Sequence, residues 1–325
     1  DYYAGRIGYF DPVPNTWHKM LDILLFWSSK GVDGFRCDMA EMVPAEFWGW
    51  ATNRVKSKYS NIIFIGEVYN PSEYRNYISN GFDYLYDKVG MYDTMRAATC
   101  GQCNTSAITH AWQANDDIRS HMLYFLENHD EQRVASTFFA GEGKKGIPAF
   151  VASVLMQQNP FMLYAGEEYG ESGMDKEGFS GLDGRTTIFD YWSIDTLCRA
   201  TWNTLNEDEK NLYELHQKVL RIANKEQSIC NGAFFDLMYA NNHLDKQYVF
   251  IRRYEGEMLL IAVNFDTRDV CIGVNIPEHA FNFLNMEEVK VQATDLLTNK
   301  KKTYELKKDS PIAIQLGASG AVVMK

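Results

Sequence analysis

The chain has 325 residues, a net charge of −11, and is 46% hydrophobic and 14% aromatic. That length supports a large core without a disulfide or metal staple, and the composition excludes an intrinsically disordered chain. The acidic balance argues against partners such as nucleic acid or an anionic membrane, whose phosphates require Lys and Arg in excess, and no apolar run reaches the roughly 18 residues of a spanning helix.

The first residues, Asp1-Tyr2-Tyr3-Ala4-Gly5, do not read as a signal peptide and include no Met. Residues 16–30 predict a helix capped by Thr16, with Trp17, Met20, Leu21, Leu24 and Leu25 on one face and Gly31 as its stop. A strand follows over 32–38. Pro44 opens a second helix running to Lys58, since Pro is tolerated where a helix begins. The unbroken apolar run 62–68 predicts a parallel strand buried on both faces. Further strands are expected at 82–87, 122–130 and 161–166, with a helix over 147–158 feeding the last. Asn206 and Glu209 form a capping box ahead of the apolar stripe Leu212, Leu215, Val219 and Ile222.

Strict alternation of strand and helix argues for a parallel α/β sheet. After about residue 226 the texture changes to short β-rich runs at 234–240, 247–254, 258–265, 270–276, 311–316 and 321–324. The expected organisation is residues 1–225 as part of an α/β domain and 226–325 as an all-β domain, an antiparallel sandwich.

Of the six cysteines only Cys100 and Cys103 make a pattern, C-x-x-C. A zinc site needs a second close pair of ligands, which the sequence lacks. A redox pair should open a helix in a βαβ unit, but this one sits in a polar, Thr-rich stretch. Ordinary thiols are the expectation, a local disulfide being the alternative, and scattered cysteines lean toward a reducing, cytoplasmic compartment with export left open.

Charge gathers where the parallel strands end: Arg36-Cys37-Asp38, Gly66-Glu67 and His129-Asp130. In an α/β barrel these ends form the active face, so the three acids are expected to converge on one pocket. Burying several carboxylates together costs free energy through mutual repulsion, so folding alone would not favour it. Two carboxylates across a sugar are the machinery of glycoside hydrolysis. Arg36 shares its strand face with Asp38 and would keep it ionised. Glu67, ending an apolar strand, suits the acid role.

The stretch Gly34-Phe35-Arg36-Cys37-Asp38-Met39-Ala40 resembles the second conserved region of the α-amylase family of glycoside hydrolases, family 13. Phe64-Ile65-Gly66-Glu67-Val68 resembles the third region, and Leu126-Glu127-Asn128-His129-Asp130 the fourth. The resemblance spans about residues 9–205 and implies a (β/α)8 TIM barrel, of which this chain holds the C-terminal strands, followed by that family's β-rich C-terminal domain. It implies a retaining enzyme acting on α-1,4-glucans, with Asp38 as nucleophile, Glu67 as general acid/base and Asp130 as transition-state stabiliser. Arg36 and His129 would support them, with carboxyls of Asp38 and Glu67 about 5–5.5 Å apart. Tyr69 is an expected substrate contact, as is Arg185 in the loop 181–187. Tyr92, Trp112, Tyr164, Tyr191 and Trp192 are further aromatics that could stack on pyranose faces.

Three features depart from the family pattern. Its first region is absent and only five strands are found, so the expectation is the C-terminal portion of a longer polypeptide, its partner being the missing barrel half or a second chain. Glu41 and Met42 stand where many α-amylases carry Lys-His; calcium is therefore unsupported by this segment, and no cofactor is assigned. The loop around Arg185 matches only loosely. A transglycosylase or isomerase of the same family would use the same acids, and a truncated relative would bind carbohydrate without turnover.

Overall fold

A computed structural model describes residues 10–173, 183–186 and 194–325. The chain divides into two compact units, residues 1–90 with 115–123, and residues 91–114 with 124–325.

In the first unit, helix α1 (Asn15–Ser28) starts on Pro14, whose extended backbone precedes the first turn. Thr16 lies inside the helix instead of capping it. Leu21 and Leu24 are buried, whereas Met20, Ile23, Phe26 and Trp27 are substantially exposed, so the apolar stripe is only half used. Strand β1 (Gly34–Cys37) leads through a short turn to α2 (Ala45–Lys58), which buries Phe47, Trp48, Ala51 and Val55. Strand β2 (Ile63–Gly66) pairs parallel with β1, Phe35 opposite Phe64 and Cys37 opposite Gly66. Phe64 is fully buried, but Ile63 is 38% exposed, so the expected burial of both faces does not hold at the strand's start. A Cβ at Gly66 would lie 2.8 Å from the side chains of Phe82 and Leu85, which excludes any larger residue just before Glu67.

After α3 (Tyr74–Ser79), strand β3 (Tyr84–Tyr86) pairs parallel with β2. Asp83 binds these layers together: its carboxylate accepts the Phe64 N–H at 2.7 Å and the Lys56 ammonium of α2 at 2.8 Å. Strand β4 (Met122–Phe125) is entirely buried. Its first two residues pair with Leu85 and Tyr86 of β3.

In the second unit, the last two residues of β4 pair parallel with Phe161 and Met162. Cys100 and Cys103 lie in the expected loop, which runs between two helices that the sequence reading lacks, α4 (Asp93–Thr99) and α5 (Ser106–Ala114). All six cysteines are free thiols. Helix α6 (Ile147–Leu155) is buried from Pro148 onward. Strand β5 is only Phe161–Met162, shorter than expected. The chain turns away because the Tyr164 N–H bonds the Glu167 carboxylate at 3.3 Å and Gly166 takes a φ of 100°. Helix α7 (Asp195–Thr201) precedes α8 (Glu207–Lys225), whose capping box forms as the sequence specifies. The Asn206 side chain accepts the Glu209 N–H and the Glu209 carboxylate accepts the Asn206 N–H, both at 2.9 Å.

A short α9 (Gln227–Cys230) leads into antiparallel β-structure. Strands β6 (Ala233–Asp236), β7 (Gln247–Tyr254) and β8 (Glu257–Asn264) form a sheet completed by the last strand, β13 (Ala321–Met324), in the order β13-β8-β7-β6. Strand β9 (Val270–Val274) pairs with β12 (Ile312–Leu316). Helix α10 (Glu278–Phe283) and the ladder of β10 (Val289–Thr294) with β11 (Lys301–Leu306) are additions that the sequence reading lacks. No described helix is long and apolar enough to cross a membrane.

Candidate active site

In the first unit, the ends of β1 and β2 bring Arg36, Asp38 and Glu67 together. One guanidinium touches both acids. Arg36 Nη1 donates a hydrogen bond to Asp38 Oδ1. Its Nη2 lies 3.2 Å from Glu67 Oε2 as an ion pair. The Arg36 Nε–H donates to the Tyr86 hydroxyl at the end of β3, at 3.3 Å. Burial works against the Arg36 charge, but the hydrogen bonds to Tyr86 and Asp38 and the attraction of Glu67 outweigh it and raise its pKa further. It is a permanent cation between two carboxylates.

The two acids differ in access. The Asp38 side chain is 70% exposed and Glu67 only 8%. The Glu67 carboxylate accepts the Met39 N–H at 2.8 Å on Oε2 and the Tyr69 hydroxyl at 2.9 Å on Oε1. Met39 sits in the left-handed region, φ 43° and ψ 44°, which a non-glycine residue adopts only under constraint. Cys37, between Arg36 and Asp38, faces the interior, and burial pushes its thiol up to about 12. It is an inert core thiol.

In the second unit, the turn after β4 presents His129 and Asp130. Asn128 shapes it, its Oδ1 accepting the N–H groups of Asp130 at 2.9 Å and Glu131 at 2.8 Å. His129 Nε2 lies 3.2 Å from Asp130 Oδ2, and Asp130 is about half exposed. Beneath the turn, Glu127 and Arg133 form a fully buried ion pair at 2.6 Å. Arg133 also donates to the Thr186 hydroxyl and to the Ala165 carbonyl, each at 2.8 Å, so it spans three segments. A lone Glu and Arg bracketing an apolar strand end was the available signal for this pair, because neither charge can be buried alone.

The remaining candidates have partners of their own. Arg185 stays local: its N–H bonds Asp183 Oδ1 at 3.1 Å, and its guanidinium approaches the same carboxylate at 3.8 Å. Tyr92 is a core residue, buried and stacked on Phe125 at 5.0 Å, which removes it from the stacking aromatics. Trp112 packs on Phe234 at 4.7 Å. The Tyr164 hydroxyl donates to the Thr186 carbonyl at 2.8 Å. Tyr191 and Trp192 lie outside the described residues. Among the described residues no three His, Cys, Asp or Glu side chains gather as a metal site. Glu41 spends one carboxylate oxygen on two backbone N–H groups, those of Tyr69 and Asn70.

The family model for the alpha-amylase catalytic domain matches residues 13–227. The chain belongs to the alpha-amylase family. Its relatives in that glycosidase family include Alpha-amylase 3 of Dictyoglomus thermophilum, 25% identical over 96% of this chain and 62% of the relative. Another is Neopullulanase 2 of Thermoactinomyces vulgaris, 22% identical over 82% of this chain and 42% of the relative. The chain thus spans about half the length of these amylase-family relatives. Among solved structures, an alpha-amylase from Geobacillus thermoleovorans complexed with acarbose matches 96% of this chain and 64% of its own, with a TM-score of 0.71 at 18% identity. That likeness gives the fold: the parallel strands belong to a TIM-barrel-type amylase catalytic domain.

Proposed function

We propose that this chain carries the nucleophile and the acid/base of a retaining glycosidase acting on α-1,4-glucans or maltooligosaccharides. The observation that carries the reading is the Arg36 guanidinium engaged with Asp38 and Glu67 at once. A shared cation sets two carboxylates side by side, the arrangement that double displacement requires, with the carboxyls about 5–5.5 Å apart. Exposure suits the assignment. The open Asp38 can reach an anomeric carbon, and the enclosed Glu67 can pass a proton without losing it to bulk water.

In the first step the Asp38 carboxylate attacks the anomeric carbon while Glu67 gives its proton to the departing glycosidic oxygen. The bond to the leaving sugar breaks as an ester bond to Asp38 forms. Glu67, now ionised, takes a proton from water, and the hydroxide equivalent displaces Asp38 and restores the original anomeric configuration. Arg36 holds Asp38 aligned for attack. Asp130, assisted by His129, is assigned to ring hydroxyls whose hydrogen bonds strengthen at the transition state. Tyr69 and Arg185 complete the assigned substrate contacts. No step runs through calcium. Residues 1–225 are assigned to the C-terminal part of the (β/α)8 barrel and 226–325 to a β-sandwich domain.

The test is turnover of maltooligosaccharides by the natural polypeptide that carries this sequence, with the product anomer read by NMR. Retention and trapping of a glycosyl ester on Asp38 are expected. Glu67→Gln should lower kcat by about 10²–10⁴-fold. Inverted product, or full activity in Asp38→Asn, would overturn the reading.

A further inference from the structure

The loops after β1 and β2 are joined by a second acid. Glu41 lies in the short turn following Met39, and its Oε2 accepts the N–H of Tyr69 at 3.1 Å and of Asn70 at 3.0 Å. The turn that carries it is itself fixed from two helices. Trp48 of α2 donates its indole N–H to the Ala40 carbonyl at 3.1 Å. The Tyr77 hydroxyl of α3 reaches the carbonyls of Glu41 at 3.1 Å and Val43 at 3.0 Å. Ala40 is completely buried between these anchors.

From this follows a closed circuit of contacts around Glu67. Met39, two residues before Glu41, gives its N–H to Glu67 Oε2 from a left-handed backbone. Tyr69, held through its own N–H by Glu41, returns its hydroxyl to Glu67 Oε1. Both carboxylate oxygens of Glu67 are therefore addressed from segments that Glu41 pins. We infer that Glu41 is a positioning residue of the glycosidase reaction, fixing the Tyr69 phenol and the Met39 amide on the two oxygens of the acid/base Glu67. This rests on the function proposed above and adds to it a residue outside the three conserved stretches. A charged oxygen accepting two backbone N–H groups is a stiff joint, because charge-assisted bonds are about twice as strong as neutral ones. Loss of that joint frees the loop carrying Tyr69, and misplacement of a catalytic group by about 1 Å can cost 10²-fold.

The experiment compares Glu41→Ala, Glu41→Gln and Tyr69→Phe in the natural polypeptide, reading kcat, KM and the pH profile of kcat on a maltooligosaccharide. Glu41→Ala should lower kcat at least about tenfold with KM little changed. Its pH profile should shift, because Glu67 then keeps Arg36 and Asp38 as charged neighbours but loses a fixed Tyr69, beside whose ring Lys88 also lies at 6.0 Å. Glu41→Gln keeps an acceptor oxygen and should recover most of kcat. Tyr69→Phe removes only one hydroxyl and should reproduce the shifted profile, which serves if Glu41→Ala does not fold. An active parent whose Glu41→Ala, or failing that Tyr69→Phe, keeps kcat and pH profile unchanged overturns the inference alone. A parent with no turnover of any α-glucan overturns the proposed function and this inference with it.

Discussion

At the scale of single residues, Arg36 is the most demanding position in the first unit. It must donate to Asp38 and the Tyr86 hydroxyl and pair with the Glu67 carboxylate from one planar group. Lys has the charge but only a point of it, on a flexible stem, and cannot hold three partners in fixed directions. Arg36→Lys should therefore fold and bind glucan with near-normal KM while kcat falls by about 10²-fold, as expected for lost alignment. Equal kcat in steady-state assays of the two proteins would show that the fork geometry is irrelevant. Arg36 and Asp38 were readable because two residues along a strand return to the same face. The role of Glu41 was not readable: it stood out only as an unexpected residue, and its partners are backbone N–H groups 28 and 29 positions away. Side-chain identity in a sequence carries no mark of a backbone partner that distant.

At the scale of elements, α8 shows how local chemistry survives folding. Its capping box depends on residues three apart, and both reciprocal bonds form. Asn206→Ala leaves the Glu209 N–H without its acceptor and should cost about 1 kcal/mol, measured as a shift in the urea midpoint. A destabilisation indistinguishable from zero would mean that packing of Leu212, Val219 and Ile222 alone sets this helix. The ladder of β10 and β11 illustrates the opposite case. Its strands expose Lys290, Gln292, Lys301 and Lys302, and only Ala293, Tyr304 and Leu306 are buried. With so few inward side chains, period-two alternation is too weak to read, and the pairing is fixed by its ladder of backbone hydrogen bonds. Helices α4 and α5 were hidden for a related reason. They are short and bury few residues, so the apolar stripe that marks a helix is too weak to read.

For the whole molecule, buried titratable groups govern how stability responds to pH. His216 of α8 is buried, stacked on Phe150 at 4.0 Å, with Nδ1 2.9 Å from the Leu212 carbonyl. Burial lowers its pKa from 6.5 to about 4. The unfolded chain therefore takes up a proton near pH 6.5 that the folded chain refuses until about pH 4, so stability falls as pH falls across that window. A gap of that size corresponds to about 3 kcal/mol. Glu257 follows the same direction at lower pH. Burial opposes its charge, but Lys325 and the Ser228 N–H outweigh that and hold it at about 2, so its contribution is present above the ordinary Glu range and lost as pH falls toward 2. Glu167 acts with the opposite sign. Burial and the adjacent Glu127 carboxylate raise it well above the ordinary value, so the folded chain keeps a proton that the unfolded chain releases. Its contribution is complete below about pH 4.5 and is lost as pH rises. Urea midpoints measured between pH 4 and 8 should separate the two. His216→Phe, which keeps a ring against Phe150 but cannot titrate, should flatten the fall between pH 6.5 and 4. Glu167→Gln should flatten the loss on the alkaline side. If both variants track the parent curve in parallel, these two groups are not what sets the pH response of the fold.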